Sequence, residues 1–180
     1  EEKGNLVHVI TSFSDSVTEK NVDQEFASIQ ALTTDNGDET IENGKYISIA
    51  LNQISGKDAG AVYAGVLATL SPEVSPVNKQ IKGIELLYDL DKQQIKTLRE
   101  AGVVCFRNTF KNGVTCTSSS CAVSTVGSVH QHISNFRIAQ TLINHVALEL
   151  QPFIGTTHIV QKASNIEDIV DSICMEHVSD

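Results

Sequence analysis

The stretch CTSSSCAVSTVGSVHQH, residues 116–132, brings together residue types that could do chemistry. Two cysteines, Cys116 and Cys121, precede two histidines, His130 and His132. Thiolates and imidazoles are ligands of zinc, and a cysteine beside a histidine is the arrangement of a thiol nucleophile with its base. With Cys105 upstream, one hypothesis is therefore a small thiol- or metal-dependent enzyme that uses these cysteines and histidines.

Strand geometry argues against a metal at this position. The Asn-Gly pair at 112–113 predicts a two-residue hairpin turn, in which Thr109 faces Cys116 and Val104 faces Cys121. Because side chains alternate along a strand, the two cysteines would then point to opposite faces, about 16 Å apart at roughly 3.3 Å per residue. Zinc requires its ligands within about 2.3 Å of one centre. A loop at the three serines would weaken this objection, but we expect core cysteines, no metal, no cofactor and no catalytic residue.

The composition narrows the function classes. The chain has 180 residues, with 22 acidic and 13 basic side chains and a formal charge of −9. No basic patch with interleaved aromatic residues occurs, so we expect no nucleic-acid partner, while an acidic surface favours a basic protein partner. No apolar run approaches the roughly 20 residues that span a bilayer, so we expect no membrane insertion.

Two further expectations follow from the start of the chain and from the number of cysteines. The chain begins EEKGN, without a methionine, which indicates a processed product or an excised fragment. Four cysteines in this length do not make a disulfide scaffold and favour a reducing compartment. No Gly-rich phosphate loop, nucleophile elbow or HExxH motif occurs, so the enzyme classes that depend on these motifs are disfavoured.

Several elements must position these side chains. NLVHVI (5–10) predicts a buried strand, VDQEFASIQAL (22–32) has weak helical spacing, and KYISIAL (45–51) alternates like a strand with one apolar face. From residue 59 to residue 70 the apolar spacing is that of an amphipathic helix. Gly60 and Gly65 lie on its other side, where small residues allow close packing, although each costs up to about 1 kcal/mol relative to alanine.

The second half of the chain is helix-rich. Asp91 with Gln94 predicts a capping box, and Gly102 the left-handed stop of the same helix, before a strand at VVCF (103–106). A long helix follows, which Pro152 closes, and the last helix is predicted to begin with a Ser164–Glu167 capping box. The residues expected to face inward on these two helices are Val129, Ile133, Phe136, Ala139, Ile143, Ala147, Leu150, Ile166, Ile169, Val170, Ile173 and Cys174. The predicted fold class is α/β (mixed α+β), with short mixed sheets covered by helices.

The order AGVVCF, NGVTC, AVST and ISNFRIAQTLINHVALELQPFIG resembles the C-terminal part of contractile phage tail sheath proteins. In that family an Asn-x-Arg helix follows the hairpin and closes on an FIG or YIG turn. Asn135, Arg137, Ile154 and Gly155 match those positions. Upstream, DAGAVYAGVLATLSPEVSPVNKQIKGI resembles the family's alanine- and glycine-rich helix with its Ser/Pro-rich exit.

The resemblance implies a domain division and a function. Residues 1–75 would be the end of the subtilisin-like sheath domain (strand-helix-strand-helix), and residues 76–180 the sheath C-terminal domain. Because family members are much longer, the chain would be a C-terminal portion or a reduced version. The implied function is a structural subunit, not an enzyme, that polymerises helically around an inner tube and contracts to drive the tube through a cell envelope.

The resemblance also implies partners and a location. The partners would be other sheath subunits, the inner tail tube protein, and the baseplate and tail terminator proteins. The location would be the virion tail, assembled in the host bacterial cytoplasm, or a related contractile injection machine. The acidic residues Glu167, Asp168 and Asp171 of the last helix are expected to contact a basic tube surface. Arg137 is either a solvated arginine or one that ties its helix to a neighbouring element or subunit.

Overall fold

The computed structural model of the protein describes residues 7–14, 21, 24–25, 27, 43–122, 128–153 and 160–179. The chain divides into two compact units, Glu1–Phe136 and Arg137–Asp180. The first unit contains every strand of the described residues, and the second is helical in its described part.

The elements follow one another as a mixture of short strands and longer helices. The strands are β1 (Val9–Ser12), β2 (Ile47–Ala50), β3 (Gln80–Ile81), β4 (Phe106–Thr109) and β5 (Gly113–Cys116). The helices are α1 (Ala59–Ala68), α2 (Lys92–Glu100), α3 (Ile133–Leu150) and α4 (Val160–Ser179). Short 3₁₀ turns span Asn43–Tyr46, Val129–Gln131 and Gln151–Phe153.

Two small sheets organise the first unit. β1 and β2 pair in parallel, from Val9 opposite Ile47 to Ser12 opposite Ala50. The second sheet is antiparallel, with the strand order β3-β5-β4. This combination of short sheets and helices confirms the predicted mixed α/β class.

β2 also contacts the segment that leads into β4. The N–H of Leu51 donates to the carbonyl of Val104 at 2.8 Å, and the N–H of Val104 donates to the carbonyl of Ile49 at 2.9 Å. Because side chains alternate along a strand, β2 supplies two apolar clusters. Ala50 packs in a cluster with Tyr63. Ile49 and Leu51 pack in the other cluster.

A buried glutamine, Gln53, links the segment after β2 to β4 and to the segment before α2. Gln53 is fully buried, and its side-chain oxygen accepts from the N–H of Phe106 at 2.9 Å while its Nε2 donates to the carbonyl of the same residue at 3.3 Å. The backbone carbonyl of Gln53 accepts from the N–H of Leu87 at 2.7 Å. A buried amide with both ends bonded avoids the cost of an unsatisfied polar group, so Gln53 fixes the position of β4.

Helix α1 lies against β1 at the predicted close contact. Asp58 caps the helix by accepting from the N–H of Ala61 at 2.7 Å, and it also accepts from the hydroxyl of Ser12. A Cβ added at Gly60 would lie 2.6 Å from the backbone carbon of Thr11, closer than real Cβ contacts. Gly60 therefore allows α1 to approach β1, whereas Gly65 has nothing within 4 Å of an added Cβ.

The predicted capping of α2 is confirmed in full. Asp91 Oδ1 accepts from the N–H of Gln94 at 2.7 Å, and Gln94 Oε1 accepts from the N–H of Asp91 at 2.8 Å. Leu90 and Ile95 both pack against the cluster that contains Leu98. Gly102 has φ +81°, the left-handed conformation that ends the helix.

The predicted hairpin exists, but the predicted register is wrong. Thr109 pairs with Gly113 and Phe106 with Cys116, so the loop has three residues instead of two. Gly113 has φ +62°, and Thr109 Oγ1 both donates to the carbonyl of Gly113 at 2.9 Å and accepts from the N–H of Asn112 at 3.3 Å. Gly113, the first residue of β5, thus adopts the left-handed conformation directly after a three-residue loop, which shifts the register of the partner strand.

Three further expectations about β1, β2 and the 22–32 segment need correction or fall outside the described residues. Val9 is half exposed and Val7 is more so, so β1 is an edge strand and starts later than the NLVHVI pattern predicts. Residues Ser48–Leu51 are all buried, so β2 is covered on both faces, not on one. Most of the weak helix predicted for 22–32 lies outside the described residues, although Gln24, Glu25 and Ala27 are helical.

The long helices differ from their predicted faces. On α3, Ile133 and Phe136 are buried as expected, but Ala139, Ile143 and Ala147 are exposed. α4 begins at Val160, so Ser164 lies inside the helix, and the predicted capping box at its start is wrong. On α4, Ile173 is buried, whereas Cys174 is exposed rather than inward. Within the described residues, no helix has the length and apolar character needed to cross a membrane.

We predict that Gly60→Ala lowers the free energy of unfolding by about 1–3 kcal/mol, because the new methyl group must displace the backbone of Thr11 and Ser12. Gly65→Ala on the same helix is the matched control. It should raise stability by up to about 1 kcal/mol, since it removes a helical glycine in open space. Urea denaturation of both variants measures the difference, and equal effects would contradict the close contact.

Candidate functional site

The three cysteines proposed for chemistry are core residues of the first unit. Cys105, Cys116 and Cys121 each have an exposed fraction of 0%. Cys116 and Cys121 pack in the same cluster as Ile133, so the prediction that they point to opposite faces is wrong. That prediction assumed a strand that continues to residue 121, whereas β5 ends at Cys116.

Burial makes these thiols poor nucleophiles. Desolvation raises the pKa of Cys105 to about 11, partly opposed by a hydrogen bond with Thr117 and by two arginines. Burial likewise raises the pKa of Cys116 and of Cys121 to about 12. The thiolate is the nucleophile and the metal ligand, so at neutral pH each cysteine is almost wholly in its unreactive form.

The serine run that follows β5 is held on both sides. Thr117 donates from its N–H to the carbonyl of Cys105 at 2.9 Å, and Ser118 Oγ donates to the carbonyl of Val103 at 3.0 Å. On the other side, the N–H of Cys121 donates to the carbonyl of Gln131 at 2.8 Å. In this position the polar residues Thr117, Ser118, Ser119 and Ser120 are buried, each with less than a tenth of its surface exposed.

The two histidines are both exposed and have different hydrogen-bond neighbours. His130 lies in the 3₁₀ turn, where its backbone N–H donates to Ser128 Oγ at 3.1 Å. His132 Nδ1 lies 3.4 Å from Ser119 Oγ, the limit of a hydrogen bond. Within the described residues, no carboxylate contacts His132 to orient it as a base, and no group of three or more potential ligands is placed to hold a metal ion.

A cleft of about 900 Å³ opens beside the serine run. Residues Thr117–Ser120 form part of its wall together with His132, and α2 contributes Lys96, Arg99 and Glu100. Sequence reasoning missed this cleft, because nothing in the spacing of α2 indicates that its basic residues face a serine run 18 or more residues later.

The residues that match the sheath motif differ in their hydrogen bonds and in their exposure. Asn135 Nδ2 donates to the carbonyl of Val129 and so ties the first turn of α3 to the preceding 3₁₀ turn. Arg137 is partly exposed, and its backbone carbonyl accepts from Thr141 Oγ1 at 2.9 Å. Gly155 and Ile154 lie outside the described residues.

The acidic residues of the last helix form one exposed set. Glu167, Asp168 and Asp171 are all exposed on α4, and Glu167 and Asp171 stand one turn apart. The structure describes these side chains without a partner chain, so their proposed role in binding stays a prediction.

A half-buried histidine that sequence reasoning did not single out, His8, directly precedes β1. His8 Nε2 is 2.9 Å from Ser48 Oγ, and that hydroxyl donates to the carbonyl of Ser120 at 3.0 Å. The imidazole packs against the Phe136 ring in a tilted arrangement, with centroids 4.9 Å apart and an interplanar angle of 48°. Burial lowers the pKa of His8 to about 4, and the backbone of Lys45 partly opposes this shift.

Comparison with solved structures identifies the fold. The PVC sheath complex of an extracellular contractile injection system, in its contracted state, matches 89% of this chain with a TM-score of 0.69 and 11% identity. The chain has the fold of contractile sheath proteins. The anti-feeding prophage helical sheath in its contracted state matches 80% of the chain, with a TM-score of 0.61 and 11% identity.

A third structure extends the similarity to a bacterial protein. The sheath tail protein from Desulfitobacterium hafniense matches 91% of this chain with a TM-score of 0.55 and 13% identity. The chain spans less than half the length of each of these three proteins, covering 45%, 43% and 49% of them. No family model and no curated protein matches the sequence. The predicted resemblance to sheath proteins is therefore confirmed at the level of the fold.

We predict that only one cysteine of the native protein reacts with a thiol reagent at pH 7.5. Cys174 is exposed, whereas the other three are buried and protonated. Ellman's reagent should therefore label one thiol quickly and the remainder only after unfolding, and Cys174→Ser should abolish the fast phase. Fast labelling of the Cys174→Ser variant would reveal a reactive core thiol and support the enzyme hypothesis.

We predict that His8 makes the first unit less stable in acid. Its pKa is about 4 in the folded state and 6.5 in a model peptide, so the unfolded state binds more protons between these values. The free energy of unfolding should be unaffected by His8 above pH 6.5 and fall below it, by at most about 1.4 kcal/mol per pH unit. Denaturation of the wild type and His8→Gln from pH 7.5 to 4 measures the difference. Identical slopes for the two proteins would contradict the prediction.

Proposed function

We propose that the chain belongs to a structural subunit of a contractile sheath, which polymerises helically around an inner tube and contracts to drive that tube through a cell envelope. The observation that carries the proposal is the sheath fold, shared over 80% or more of the chain with three sheath proteins. The proposal covers the part of the subunit that this chain represents, with residues 1–75 as the end of the subtilisin-like domain and 76–180 as the C-terminal domain.

The work of such a subunit is mechanical. Head-to-tail contacts that do not close generate a helical tube. Strands added to neighbouring sheets keep subunits linked while they rotate and slide, and two alternative packings of one folded unit make the extended form able to switch. The paired bonds of Gln53 and the close contact at Gly60 favour a unit that transmits force without deforming.

A structural role explains the buried cysteines and the pair of Ser119 and His132 better than a catalytic role does. The thiols of Cys105, Cys116 and Cys121 are buried and have raised pKa values. The pair of Ser119 and His132 is 3.4 Å apart. We therefore assign no catalytic residue, metal or cofactor to this chain, and these cysteines act as small core residues.

The partners follow from the proposed assembly. They are other copies of the subunit, the inner tube protein, and the baseplate and tail terminator proteins. The subunit would be located in a phage tail or in a related injection machine assembled in a bacterial cytoplasm. Arg137 would hold α3 to a neighbouring element or subunit.

The acidic set on α4 is the proposed contact with the tube. Glu167, Asp168 and Asp171 are exposed and could pair with a basic tube surface. Exposed ion pairs contribute about 0.2–1 kcal/mol each and are weakened by salt, so such a contact would hold the sheath on the tube and still release on contraction.

The test is assembly of the full-length subunit with its tube protein, examined by negative-stain microscopy and by pull-down. We expect sheath tubes, and we expect the triple reversal Glu167→Lys, Asp168→Lys and Asp171→Lys to weaken tube binding roughly 10- to 100-fold, because three attractions become repulsions. Binding should also decrease between 50 and 300 mM salt.

The matched control carries the same change in charge at exposed positions outside α4. The variant Glu85→Lys, Asp89→Lys and Glu149→Lys should bind the tube like the wild type. Loss of binding in both variants would indicate a non-specific charge effect and refute the α4 contact. Absence of any polymer from the wild-type subunit under all conditions would refute the sheath function.

A further inference from the structure

The cleft beside the serine run is positively charged in an acidic protein. The chain has a formal charge of −9, yet two cations, Lys96 and Arg99, line the cleft, and Glu100 is the one carboxylate among its described lining residues. Glu100 offsets one of these two charges, so the cleft keeps a net positive charge. Its contact with Lys96 is a weak one, because it is 3.8 Å long and the two side chains are 67% and 65% exposed.

Several hydrogen-bond donors belong to residues that line the cleft and have no partner among the described residues. The guanidinium of Arg99 makes no hydrogen bond or ion pair there, and neither does the side-chain amide of Gln131. The backbone N–H groups of Ser118, Ser119 and Ser120 also have no acceptor within the described part of the chain. A row of donors beside two cations is complementary to oxygen acceptors that carry negative charge.

We propose that this cleft is a docking site for a carboxylate-rich peptide segment of a partner protein. An arginine fork binds a carboxylate in a bidentate manner, and Lys96 supplies a second cation one turn away on α2. The backbone N–H groups of Ser118, Ser119 and Ser120 would bind further carboxylate or carbonyl oxygens. This site is separate from the acidic set on α4 and does not depend on the sheath assignment.

The size and charge of the cleft favour a peptide over other anions. A volume of about 900 Å³ is in the range that encloses a ligand of many atoms, larger than one phosphate or carboxylate needs. A nucleic acid is disfavoured, because two cations offer few of the phosphate contacts on which nucleic-acid binding depends.

Titration of the ¹⁵N-labelled chain with acetylated, amidated hexaglutamate tests the proposal by NMR. We expect saturable shifts concentrated on the amides of Ser118–Ser120 and on the Arg99 Nε–H. Arg99→Gln combined with Lys96→Gln should weaken binding at least tenfold, and both residues are exposed, so the variant should keep the dispersed spectrum of the folded protein.

Lys92→Gln is the matched control, because Lys92 lies on α2 but does not line the cleft. It should bind hexaglutamate within twofold of the wild type. The proposal is overturned if hexaglutamine produces the same shifts, if Lys92→Gln weakens binding as much as the double variant, or if no shift occurs at millimolar peptide. Binding of citrate as tight as that of the peptide would also overturn it, since the site would then be one for a small anion.

Discussion

The placement of β2 between two apolar clusters is the constraint on which the first unit depends. Consecutive residues of this strand point to opposite sides, so Ala50 enters one cluster while Ile49 and Leu51 enter the other. The backbone of the same strand pairs with β1 on one edge and with Val104 on the other. A shift of one residue in this register would exchange the two sets of side chains, so both clusters hold the strand in one position.

The serine run takes its position from this arrangement. Ser48 on β2 donates to the carbonyl of Ser120, and the N–H of Ala122 donates to the carbonyl of Ile47 at 2.8 Å. These contacts bring the segment after β5 back to β2 and bury Cys121 in the same step. The serine wall of the cleft and the burial of Cys121 therefore have one origin, the return of the chain to β2 after the hairpin.

Much of the local structure could be predicted from short-range signals. Asp91 and Gln94 are three residues apart and need no distant partner to form a capping box, so their role was evident, as was that of Gly102. The apolar spacing likewise located α1 and the body of α3. The hairpin register was not predictable from the Asn-Gly pair, because Thr109 stabilises a different loop through bonds that spacing does not encode.

The sequence by itself determined the mixed fold class, the principal helices and, through the order of several weak motifs, the resemblance to sheath proteins that the fold comparison bears out. These features depend on neighbours along the chain or on their order. Only the tertiary structure decided that Cys116 and Cys121 share a cluster, that His8 bonds to Ser48, and that Arg99 faces the serine run. His8 and Ser48, like Arg99 and the serine run, lie far apart in the chain, and the two cysteines share a cluster because β5 ends at Cys116. The packing of β2 and its neighbours sets these contacts, and the periodicity of a single segment does not predict them.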